Sequence, residues 1–135
     1  MIGRVVLDEN DNKIVEPLTG GSGKDVYSTT EKIIGTWIDG RPVYQKTLNI
    51  GNVARGNSIN IAHGVTNFDR LLTYYGFCNL TGHTNSYKWQ IPQFNNEAES
   101  GAHIAITSTD STNVTITTDW ALSNTVIILE YIKTA

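Results

Sequence analysis

The stretch "VYSTTEKIIGTWIDGRPVYQKTLNIG", Val26 to Gly51, decides how the rest of the chain reads. Two runs rich in β-branched and aromatic residues, "IIGTWI" and "PVYQKTLNI", sit either side of Asp39-Gly40. An Asp-Gly pair readily takes the positive φ angles of a tight hairpin, and Pro42 sets φ where the next strand starts. In that strand Tyr44, Lys46, Leu48 and Ile50 share one face, while Val43, Gln45, Thr47 and Asn49 share the other. A period of two is a sheet signature, so the stretch predicts two antiparallel strands joined by a bend. Trp37 and Tyr44 are then expected as large apolar anchors on either side of Asp39 and Gly40. Arg41 is expected to face solvent at the turn.

The same alternation recurs along the chain. Strands are expected at "SINIA", "FDRLLTYYGF", "YKWQI", "HIAIT" and "NVTITT", with the turn-forming "STDSTN" between the last two. The closing run "TVIILEYIK" places Ile127, Leu129 and Tyr131 on one face and Val126, Ile128, Glu130 and Ile132 on the other. Apolar residues on both faces predict a central strand, or one whose outer face a partner covers. No window has a convincing amphipathic-helix pattern, although "VTNFDRLLTYY" is ambiguous. About eight strands at short spacing predict an all-β fold, an antiparallel β-sandwich with jelly-roll-like topology. Upstream, "RVVLDENDNKIVEP" reads as a small hairpin or extended arm, and "LTGGSGKD" as a flexible joint. The expected organisation is an arm and joint over 1–25 and a sandwich domain over 26–135.

The length, 135 residues, is one domain's worth. A net charge of −3 gives no electrostatic footprint for nucleic acid and no polybasic face for an acidic membrane. No run approaches the ~18 consecutive apolar residues of a membrane helix, and "MIGRVVLDEN" lacks a signal-peptide pattern. The single cysteine, Cys78, rules out an intrachain disulfide and reads as a buried small hydrophobe within "LLTYYGFCNL".

Residue patterns that carry chemistry are few. His63, His83 and His103 fall in separate segments without metal-ligand spacing, so no metal site is expected. There is no nucleophile elbow, no dinucleotide fingerprint and no Walker loop, and "GGSGK" reads as linker. Asp69, Glu97, Glu99, Asp110 and Asp119 would have to converge from distant strands to make a glycosidase pair. No catalytic residue and no cofactor are therefore expected. Tyr74, Tyr75, His83, Tyr87 and Trp89 are the candidate ligand contacts, because they interleave flat rings with Asn79, Thr81, Thr84 and Asn85. Rings for the C–H face of a sugar and short polar groups for its hydroxyls fit that composition. A sandwich core with a polar loop fits it too.

The block from Tyr27 to Gly51 also resembles one found in bacteriophage tail and fibre proteins of the receptor-binding kind. Its form is Y-S-T, an acidic residue, an apolar pair, then G-x-W-I-D-G-x-P-[IV]-Y and K-T. Ser28, Thr29, Glu31, Gly35, Trp37, Ile38, Asp39, Gly40, Pro42, Tyr44, Lys46 and Thr47 carry the match. "IAHGVTNFDRLLTYYG" and the closing "NVTITTDWALSNTVIILEYIKT", with its L-E-Y-x-K ending, are similar to further pieces of the same group. The resemblance implies a virion component, a fibre or tip domain that assembles as a homotrimer. The N-terminal arm would attach it to other virion proteins; the resemblance supplies no ligand, and a host-surface glycan is expected only from the ring-and-polar composition above. A carbohydrate-binding module with no virion role, or a polysaccharide depolymerase, are the alternatives.

Overall fold

The computed structural model describes residues 3–7, 13–17, 27–81, 88–95 and 102–134. Among them every alternating run of the sequence becomes a strand, the ambiguous "VTNFDRLLTYY" window included, and no helix forms. Strands β1 (Gly3–Leu7) and β2 (Lys13–Pro17) pair antiparallel, from Gly3 opposite Pro17 to Leu7 opposite Lys13. The predicted turn and glycine joint around this pair lie outside the described residues.

A five-stranded sheet is ordered β3-β4-β11-β6-β7 and a four-stranded sheet β5-β10-β9-β8. The first comprises β3 (Lys32–Thr36), β4 (Pro42–Val53), β11 (Leu122–Lys133), β6 (Phe68–Leu80) and β7 (Lys88–Ile91). The second comprises β5 (Gly56–Ala62), β10 (Asn113–Thr118), β9 (Ala102–Thr109) and β8 (Gln93–Asn95). Every pairing is antiparallel, and the sheets curl into a half-barrel consistent with a sandwich. The chain crosses between sheets after β4, β5, β7 and β10, so β11 lies between β4 and β6 while β10 lies beside β5. The β6-β7 hairpin and the β8-β9-β10 meander each stay within one sheet.

The core is filled from both sheets by Leu48, Val53, Leu80, Ile104, Val114, Ile116, Leu122, Ile127 and Leu129. Burying each such side chain is worth about 1.5–3 kcal/mol before the cost of ordering it. Cys78 is fully buried here, and that burial pushes its thiol up to about 11. β11 is the central strand of its sheet, which accounts for its apolar residues on both faces. Ile127, Leu129 and Tyr131 point into the core, while Ile128 and Ile132 are buried on the outer side.

The bend at Asp39-Gly40 differs from the expected two-residue hairpin. Gly40 alone is left-handed, at φ 92°. Its N–H donates to the Trp37 carbonyl at 2.9 Å, and the Trp37 N–H donates to the Arg41 carbonyl at 2.7 Å. This is a three-residue loop with a bulge glycine, the geometry that such a left-handed position supports. Ile38, at its tip, is 92% exposed. Trp37 is half-buried and does not join the core cluster, whereas Tyr44 packs against it. Of the two expected ring anchors only Tyr44 serves the core, because the loop carries Trp37 past the end of the paired strands.

Candidate functional site

Three regions hold the polar and aromatic side chains that could do something other than fill space. The first is the end of the sandwich formed by the 37–41 loop, residues 63–67, the 110–112 turn and the C-terminus. Here charged side chains bridge elements far apart in sequence. Arg41 binds Asp39 through Nε at 2.8 Å, Asp69 through Nη1 at 2.6 Å and the Lys133 carbonyl at 2.9 Å. It is therefore a staple across three elements and not the solvent-facing turn residue expected, since its long side chain reaches back over the sheet. Lys46 donates to the His63 carbonyl at 2.8 Å, and Glu31 accepts from both the Tyr131 hydroxyl and Lys133.

Rings run beneath these bridges. Tyr44 stacks on Tyr131 at 5.9 Å between centroids, Tyr131 meets Phe68 at 5.5 Å, and Phe68 stacks on His63 at 4.6 Å. His63 is fully enclosed. The Val65 N–H donates to its Nδ1 at 3.0 Å, so its Nε2–H donates to the Asp110 carbonyl at 2.9 Å. Both ring nitrogens are used within the fold. Burial, with the nearby Glu31 carboxylate, pushes the Tyr131 hydroxyl up, so it stays a donor.

The second region is the outer face of the five-stranded sheet. Strand register lays Thr47, Ile128 and Tyr75 in one cross-strand row, and Val126, Phe77 and Gln90 in the next. The Thr47 N–H donates to the Ser28 carbonyl at 2.8 Å, which brings Tyr27 to the same face. Together they line an apolar groove of about 450 Å³. At Gly76, in its floor, a Cβ would lie 2.0 Å from the Val126 carbonyl oxygen, so only glycine lets β6 approach β11 so closely. Tyr27 and Phe77 are 59% and 50% exposed. Beside them Gln45 donates to Glu130 at 3.1 Å, and desolvation together with Tyr27 and Glu130 pushes the Tyr75 hydroxyl up. Gln45 Oε1 and Thr47 Oγ1 are buried without a hydrogen-bond partner.

Of the five residues expected to share a ligand surface, the three described, Tyr74, Tyr75 and Trp89, divide between the two faces of the sheet. Tyr74 and Trp89 pack against the core, and the Tyr74 hydroxyl accepts the Ile106 N–H at 3.1 Å, tying the sheets together. Tyr75, the next residue along β6, points the opposite way into the groove. His83 and Tyr87 lie outside the described residues, as do Glu97 and Glu99.

The third region is the opposite end of the sandwich. Leu122 pairs with both Val53 and Leu80, which gathers the β4–β5 connection, the end of β6 and the β10–β11 turn. The Thr81 N–H donates to the Ala121 carbonyl at 2.9 Å. Arg55, Thr81, Asp119, Trp120 and Ala121 line an open pocket of about 560 Å³. Buried Thr118 holds the Trp120 backbone twice: its hydroxyl donates to the Trp120 carbonyl at 2.8 Å and accepts the Trp120 N–H at 3.2 Å. Asp119 donates its N–H to the His103 carbonyl at 3.1 Å, and its Oδ2 accepts from His103 Nδ1. Arg55 is exposed and makes no ion pair among the described residues. Sequence reading passed over this group, although an Asp-Trp pair in a turn between two alternating strands is a usable signal.

Each described carboxylate of the glycosidase search has a local occupation. Asp69 holds Arg41, Asp110 accepts the N–H groups of Thr112 and Asn113 at 2.8 and 2.6 Å, and Asp119 holds His103. Among the described residues no group of three His, Cys, Asp or Glu side chains could hold a metal ion. Nor is any described helix long and apolar enough to cross a membrane. The chain matches no family model, no curated protein and no solved structure.

Proposed function

We propose that this chain is a bacteriophage virion protein, a tail or fibre tip domain that assembles as a homotrimer and presents a β-sandwich to the host surface. The observation that carries the proposal is the groove on the outer face of β11. Its exposed Tyr27 and Phe77 and its floor of Val126 and Ile128 make an apolar surface that a second copy would remove from water. The resemblance of the sequence blocks to phage tail and fibre proteins supports the particle and the three-fold symmetry. They also meet in space, since Glu31 of the first holds Tyr131 and Lys133 of the last, and Lys46 of the first holds His63 of the second. A block whose charged residues serve one another supports a building role.

Attachment then draws strength from multivalency, because three linked sites turn later contacts into local events. Light scattering on the full chain should give a trimer mass, and Phe77→Asp should give monomers by placing a charge in the groove. A wild-type protein that stays monomeric at high concentration removes the assembly claim. A host-cell pull-down and a glycan array test adhesion separately. A carbohydrate-binding module without a virion role would be a monomer with a saturable sugar site.

A further inference from the structure

We infer that the pocket at the Arg55–Trp120 end binds an acidic saccharide. This rests on the attachment reading above and names the ligand class that it leaves open. The pocket combines three chemistries that a charged sugar ring needs and an apolar ligand does not. Trp120 forms an apolar wall packed against the core, and the Thr118 hydroxyl pins its backbone in both directions, so this side of the pocket is ordered before a ligand enters. Asp119 is oriented by His103 through Oδ2, and among the described residues no group bonds its Oδ1, which can accept a sugar hydroxyl. Arg55 supplies a planar, permanently charged fork that meets a carboxylate with two parallel hydrogen bonds.

Arg55 also distinguishes this pocket from the rest of the molecule. Arg41 at the far end spends its guanidinium on Asp39, Asp69 and the Lys133 carbonyl. Arg55 lines an open cavity with no carboxylate bonded to it among the described residues. A sugar bearing a carboxylate on one edge and hydroxyls on the other satisfies Arg55 and Asp119 together. A neutral sugar satisfies only Asp119. The volume, about 560 Å³, lies in the range of small-ligand sites.

The test uses the full chain in calorimetric titrations against two matched pairs: sialyllactose with lactose, and a short oligogalacturonate with its carboxyl-reduced form. The acidic member of at least one pair should bind saturably and about tenfold more tightly than its neutral counterpart, the usual scale of one charge-assisted contact. Arg55→Ala should abolish that preference, and Asp119→Asn should weaken both members of the pair. Thr81→Trp should block the pocket. Arg55 and Thr81 are exposed, so these variants keep the fold, which circular dichroism checks. No binding by either acidic sugar, equal binding of acidic and neutral forms, or binding indifferent to all three substitutions overturns the assignment.

The same variants separate this inference from the reading beneath it. A trimer that adheres to host cells unchanged by the substitutions sinks the pocket and leaves attachment standing. A non-adherent monomer that binds acidic sugar through Arg55 does the reverse.

Discussion

At one end of the sandwich Arg41, Lys46, Glu31 and Lys133 all terminate on protein atoms; at the other, Arg55 terminates on none among those described. The difference follows from what each end must hold together. The tied end joins the sheet edge, the C-terminus and the crossing between sheets, segments separated by up to 102 residues along the chain. Two hairpin turns, the crossing at 63–67 and the C-terminus meet there, and long side chains and a run of rings join them. At the open end Leu122 is hydrogen-bonded to β4 on one side and β6 on the other. The strand ladder carries most of that end, helped by the Thr118 hydroxyl and the Asp119–His103 pair, and Arg55 is left exposed.

The largest effect that would break this comparison is expected from His63→Ala. It removes the ring stacked on Phe68, the acceptor for Val65 and the donor to Asp110, all in a buried site. A loss of about 2–4 kcal/mol is expected from cavity and unpaired-group costs together, read from urea denaturation. A change within experimental error would show that the tied end is not cohesive at all.

Arg41→Ala against Arg55→Ala is the matched pair. The first should lower the denaturation midpoint and speed hydrogen exchange at the C-terminal residues whose carbonyl it holds. The second should leave both unchanged. Equal effects would erase the distinction between the ends.

Acidification gives a smaller, graded effect confined to the tied end. Hydrogen bonds from the Thr112 and Asn113 N–H groups hold the Asp110 carboxyl below the usual carboxylate range, and the Arg41 N–H does the same for Asp39. A carboxyl whose folded-state value lies below its unfolded one stabilises the fold above the unfolded value, about 4, and loses that contribution as pH falls through the folded value. Stability should thus decline as pH drops below about 4, and Asp110→Asn should flatten part of that slope. An unchanged slope would remove Asp110 from the account.

Much of the architecture was legible because burial on one face imposes a period of two. "NVTITT" is β10 residue for residue, and the two-faced apolar run of β11 marked it as central. The three-residue β8 was not legible, since Gln93–Asn95 is too short to show alternation. For the candidate sites, alternation along β6 separates Tyr74 from Tyr75, and reading them as one surface ignored it. The partners of Glu31, Arg41 and Lys46 left no local trace. A salt bridge needs only that two side chains meet, and nothing near Glu31 marks Tyr131.

The amino-acid order by itself determined that this is a sheet protein with a bend at Gly40 and an inward set of β-branched residues, because those preferences act between neighbours along the chain. Tertiary structure alone decided which charges are consumed and which are offered. A guanidinium at residue 41 and one at residue 55 are chemically identical. Only the crossing of strands from one sheet to the other puts acceptors beside the first and, among the described residues, none beside the second.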